Sequence, residues 1–83
     1  MYSVYILYSE KLDKYYVGST ADVEKRLERH NEGWGRFTKG GIPWEIVHVE
    51  KYRSKPEALK REQYIKRKKS RVYIQDLIDS EDH

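Results

Sequence analysis

With 83 residues and a formal net charge of +3, the chain can form one small core and has no room for a separate specificity domain. Hydrophobic and charged residues each make up 37%, and eight tyrosines with two tryptophans supply enough apolar surface to favour a folded chain over a disordered one. The absence of cysteine excludes disulfides, thiolate metal sites and cysteine nucleophiles together. It suits a reducing cytoplasm, and without an apolar run behind a basic leader neither a signal peptide nor a membrane span is expected.

Residues 2–8 are β-branched and aromatic, with Tyr2, Val4, Ile6 and Tyr8 on one face and Ser3, Tyr5 and Leu7 on the other, a strand covered on both sides. A polar turn follows, and residues 15–19 form the second strand of an antiparallel hairpin. If paired residue numbers sum to an odd value, Tyr5 shares a face with Tyr16 and Gly18; a slip of one residue separates them. Ser19 or Thr20 caps the helix that follows, Asp22 and Glu24 suit its first turn, and Gly33 ends it. On that helix Val23 and Leu27 mark the apolar stripe, with Arg26 and His30 at its border.

Residues 34–43 form a loop rich in glycine, aromatics and cations, long enough for binding. A third strand at 44–52 places Trp44, Ile46 and His48 opposite Glu45, Val47 and Val49. Ser54 and Glu57 make a capping box, with Pro56 in the first turn of a helix reaching about Arg67. Ser70 caps a last helix whose stripe is Tyr73, Ile74, Leu77 and Ile78. The expected architecture is α+β: one domain over residues 1–83, a three-stranded antiparallel sheet flanked by helices.

Charge is unevenly spread. Residues 51–71 hold ten basic side chains against Glu57 and Glu62, a local net of +8, whereas Asp76, Asp79, Glu81 and Asp82 make the end acidic. Such a block is either a footprint for a polyanion or a solvated helix face. Glu62 is anomalous in another way. Its helical position falls between Ala58 and Leu59, aimed at the core, where a carboxylate needs a cationic partner, a metal or the rim of a cleft. Arg26 or a nearby lysine would serve as the partner. Gly18 within a strand marks a bulge or a close approach, and Trp34 and Phe37 either close the core as a lid or stack on an unpaired base.

Ser3-Val4-Tyr5, Tyr16-Val17-Gly18, Ser19-Thr20, Arg26, His30-Asn31 and Glu62 resemble in order the motifs of the GIY-YIG nuclease family, across nearly the whole chain. The likeness is to its small stand-alone bacterial members. It implies the same three-stranded fold and metal-dependent hydrolysis of a phosphodiester. By that resemblance Glu62 would hold one Mg²⁺ or Mn²⁺, Arg26 would stabilise the phosphate, and Tyr16 would activate water, with Tyr5 and His30 sharing or positioning the proton transfer. A magnesium site can consist of one carboxylate, waters and substrate phosphate, and a guanidinium suits phosphate oxygens. Ser3 stands where the first motif has glycine, and the asparagine that follows the glutamate in some members has no counterpart.

These readings combine into an expected endonuclease, a hydrolase acting on DNA in a structure-selective or nonspecific way. Arg36, Lys39, Lys60, Arg61, Lys66, Arg67, Lys68 and Lys69 would hold the nucleic-acid backbone. The alternative is a nucleic-acid-binding module without turnover, or a subunit of a repair complex.

Overall fold

The computed structural model describes residues 1–80; Glu81 and Asp82 of the acidic tail lie outside the described residues. Strands β1 (Tyr2–Ser9), β2 (Lys14–Thr20) and β3 (Trp44–Tyr52) form one antiparallel sheet in the order β2-β1-β3. Helix α1 (Val23–Asn31) follows β2, and α2 (Lys55–Lys68) and α3 (Arg71–Ser80) follow β3. The expected α+β architecture is the one observed.

β1 is the central strand because its sequence is apolar on both faces. Val4, Tyr5, Ile6 and Leu7 are all buried, so each face needs a cover. Tyr5, Leu7 and Trp44 pack with Val23 and Leu27 of α1. Val4, Ile6 and Val17 pack on the other face with Ala58 and Ile65 of α2, and Tyr73, Ile74 and Leu77 of α3 complete that layer.

The β1–β2 register pairs Tyr5 with Gly18 and Leu7 with Tyr16, so the paired numbers sum to 23. Odd parity brings Tyr5, Tyr16 and Gly18 to one face. Along β3 the register shifts: Ile6 faces His48, whereas Leu7 faces Ile46, leaving Val47 as an extra residue. The expected grouping of Trp44, Ile46 and His48 on one face is therefore corrected. The bulge resets the alternation, and His48 turns to the face of Ile6.

Helix ends follow the polar residues, with one correction. Asp22, not Ser19 or Thr20, caps α1, its carboxylate accepting from the Lys25 amide at 3.0 Å. Thr20 instead accepts from the Asp22 amide at 3.3 Å, holding the capping residue in place. Gly33, at φ +85°, leaves the helix through the left-handed region, which glycine enters without a Cβ penalty. Ser54 accepts from the Glu57 amide and Ser70 from the Tyr73 amide, as their positions in the sequence predict.

The bulge also builds an ion-pair network. Glu50 accepts from Arg61 of α2 through both oxygens, at 2.9 and 3.2 Å, and from the Tyr52 hydroxyl at 2.6 Å. His48 lies 2.8 Å from the same carboxylate. Burial alone would raise the Glu50 pKa, but hydrogen bonds from Arg61, Tyr52 and His48 outweigh it and bring the value down to about 2. A folded-state value below the ordinary 4.5 means that this contribution is complete above that pH and is lost as pH falls through about 2. Urea unfolding across this acid range should show a steep loss of stability in the wild type and a shallower one in Glu50→Gln.

Candidate functional site

β1, β2 and α1 converge on a cluster of aromatic rings. Tyr5 and Tyr16 have ring centroids 6.3 Å apart, and the His30 ring stands 4.9 Å from that of Tyr16. Gly18 is the condition for this packing. A Cβ there would lie 2.5 Å from the Tyr5 hydroxyl oxygen and 2.7 Å from its ring, so the tyrosine occupies the space a side chain would take.

The polar atoms of the cluster form a chain. The Tyr5 hydroxyl lies 3.2 Å from His30 Nε2, and His30 Nδ1 lies 3.0 Å from Thr38 Oγ1. Thr38 also donates to the Gly35 carbonyl at 3.4 Å, and in the neutral ring one His30 nitrogen donates while the other accepts, linking Tyr5 and Thr38 through the imidazole. Burial and then the nearby Arg26 charge hold the His30 pKa below its ordinary value. Burial, reinforced by Tyr16, pushes Tyr5 up to about 12 against the opposing pull of Arg26. At neutral pH Tyr5 is thus a protonated phenol and His30 a neutral ring.

Arg26 sits one helical turn before His30, half-buried, and together with Thr20, Lys25 and Arg29 it lines a surface cavity of about 120 Å³. Glu62 reaches β2 from the side of α2, whereas Tyr5, Tyr16 and His30 occupy the side of α1. One Glu62 oxygen accepts from Ser19 at 2.5 Å and the other from Lys66 at 2.6 Å. Its partner is therefore the lysine one turn along the helix, not Arg26. Each oxygen thus accepts one hydrogen bond, and among the described residues no group of three or more His, Asp or Glu side chains is placed to hold a metal ion. The donor set does not fit Mg²⁺ or Mn²⁺ without displacing Lys66.

Three roles were not legible beforehand. Ser19 satisfies Glu62; Asn31 brackets the Trp44 backbone, donating to its carbonyl at 3.0 Å and accepting from its amide at 2.6 Å. Thr38, only 2% exposed, fixes the loop to His30. No periodicity marks a loop threonine, so sequence offered no sign of it. Of the cations expected on the backbone of a nucleic acid, Arg36, Lys39, Lys60, Arg67, Lys68 and Lys69 are exposed, whereas Arg61 is committed to Glu50 and Lys66 to Glu62.

A family model described as the GIY-YIG catalytic domain matches residues 1–75. The chain belongs to the GIY-YIG family. Within it the chain is similar to UPF0213 proteins of bacteria and archaea. It is 37% identical over 76 residues to the UPF0213 protein YazA of Bacillus subtilis, covering 87% of this chain and 77% of that protein. It is 40% identical over 67 residues to the UPF0213 protein VNG_2274C of Halobacterium salinarum, covering 80% and 86%. The solution NMR structure of the UPF0213 protein BH0048 from Bacillus halodurans superposes with a TM-score of 0.59 at 33% identity, over 95% of this chain and 84% of that one.

These findings correct the expected endonuclease, and with it the hydrolase and magnesium readings. The relatives above are UPF0213 proteins, and none of their names describes a nuclease. In the side chains, Tyr5 is a buried phenol and Glu62 is ion-paired with Lys66. The restriction to bacterial relatives is corrected too, since archaeal proteins match equally well. Among the described residues, no helix is long and apolar enough to cross a membrane.

The lowered His30 value carries a sign. Its contribution is complete above the ordinary 6.5 and is lost as pH falls through the depressed folded-state value, because the unfolded chain takes up the proton first. Urea midpoints measured downward from neutral pH should fall in the wild type and stay flat over this window in His30→Gln.

Proposed function

We propose that the protein is a nucleic-acid-binding module without turnover, with DNA its partner, held through phosphate contacts on α2 and the turn into α3. The observation that carries this reading is the set of exposed cations Lys60, Arg67, Lys68 and Lys69. None of the four forms an ion pair among the described residues. Two of the nearby carboxylates are paired internally, Glu50 with Arg61 and Glu62 with Lys66, so these two do not repel a polyanion at full strength, whereas Glu57 at the start of α2 is exposed. Arg26, Lys25 and Arg29 around their small cavity offer a further phosphate contact on the α1 side.

Binding of this kind releases counterions, so affinity falls as salt rises. Fluorescence anisotropy of a labelled DNA duplex at several salt concentrations should give a linear log–log plot. Each of Lys60→Gln, Arg67→Gln and Lys69→Gln should lower its slope by about 0.9, the contribution of one phosphate contact on duplex DNA. Slopes unchanged in all three variants would contradict the assignment of this face.

A further inference from the structure

The loop between α1 and β3 presents two aromatic side chains that the fold does not use. Phe37 is 91% exposed and Trp34 70% exposed. A hydrophobic lid would bury them, but the side chains that cover this side of the core are Trp44 and its neighbours Ile42 and Ile46. An exposed phenyl ring on a mobile tip would be unremarkable. This loop is held instead: Thr38, next to Phe37, bonds His30, its carbonyl accepts from the Trp44 indole at 2.6 Å, and Lys39 N–H donates to the Gly35 carbonyl at 3.0 Å. Gly41 permits that closure, since a Cβ there would lie 2.5 Å from the Trp44 ring.

One cation contacts Trp34, and two more lie near Phe37 in sequence. Arg29 lies over Trp34, 5.4 Å from the ring centroid, and the Trp34 indole donates to Glu32 at 3.1 Å, fixing its orientation. Arg36 and Lys39 flank Phe37 in sequence and are both exposed. Residues 29–39 thus carry Arg29, Arg36 and Lys39 against Glu32 alone, leaving the loop positively charged. A fixed apolar ring among cations has the chemistry of a base-stacking platform: the ring meets a nucleobase face, and the cations meet the adjoining phosphates.

We infer that the 34–39 loop binds an unpaired nucleobase, with Phe37 as the stacking surface and Trp34 beside it, so that the protein prefers single-stranded nucleic acid. This rests on the nucleic-acid-binding reading and adds a substrate class to it. A duplex keeps its bases stacked on one another and offers Phe37 nothing, whereas a single strand can splay a base onto it.

Trp34 provides its own readout, because the other tryptophan, Trp44, is buried. The full chain is titrated with an oligothymidylate and with a duplex of equal length, following tryptophan emission and anisotropy. The single strand should change Trp34 emission, a change that Trp34→Phe removes. Phe37→Ala should weaken single-strand binding by roughly 5- to 100-fold, the range for losing one stacked base, and leave duplex binding unchanged. Phe37→Trp should restore it.

Equal single-strand affinity in wild type and Phe37→Ala would overturn the platform while leaving duplex binding on the α2 face intact. Sedimentation showing a dimer that Phe37→Ala dissociates, with single-strand affinity unchanged, would overturn it in favour of a second copy covering the rings. Binding of neither nucleic acid would overturn both the inference and the reading beneath it.

Discussion

The buried hydrogen bond between Tyr5 and His30 joins the middle of the central strand to α1, and through Thr38 it reaches the loop that leads into β3. Three separately coded elements are thereby tied at one imidazole, each end of which is satisfied. Removing a partner from such a chain leaves a buried polar atom alone, at a cost of about 1–3 kcal/mol. The neighbouring residues follow from this constraint. Gly18 must lack a side chain because Tyr5 lies against it, and Tyr16 packs its ring on the edge of His30.

A second constraint is the disposal of acid. Two carboxylates face inward on the α2 side of the sheet, and each is neutralised by a cation from the same helix: Glu50 by Arg61, and Glu62 by Lys66. The Lys66 pair is solvent-exposed on the lysine side and contributes little to stability by itself. Its consequence is electrostatic. What α2 presents outward is the remainder, cations that form no ion pair among the described residues, while Tyr5 and His30 are buried on the other face with Arg26 nearby.

Much of this was legible in the residues. Alternation in β1 and its unbroken apolar run required cover on both faces, and Ser54 and Ser70 announced their helices. The position of Glu62 on α2 announced a carboxylate aimed at the core, and left its partner open among a cation, a metal and the rim of a cleft. What the residues did not carry was pairing at a distance. The β1–β2 parity depends on a register that either choice of turn allows, and the bulge at Val47 arises from the pairing of two strands nearly forty residues apart in sequence. Phe37 shows the same limit: an aromatic residue in a loop reads equally as core or as contact, and only the burial of Trp44 in its place decides the matter. The resemblance of motif residues gave the family correctly and the activity incorrectly, because motif identity does not specify the protonation of Tyr5 or the occupation of Glu62.

The claim that this surface binds without turnover is tested most directly by following one labelled single strand in the presence of the protein with Mn²⁺ and, in parallel, with EDTA. Anisotropy reports binding, and the recovered oligonucleotide is sized at the end. The account predicts the same affinity in both conditions, retained by Glu62→Gln, and a strand of unchanged length throughout. Shortened products that require Mn²⁺ and disappear with Glu62→Gln would contradict it.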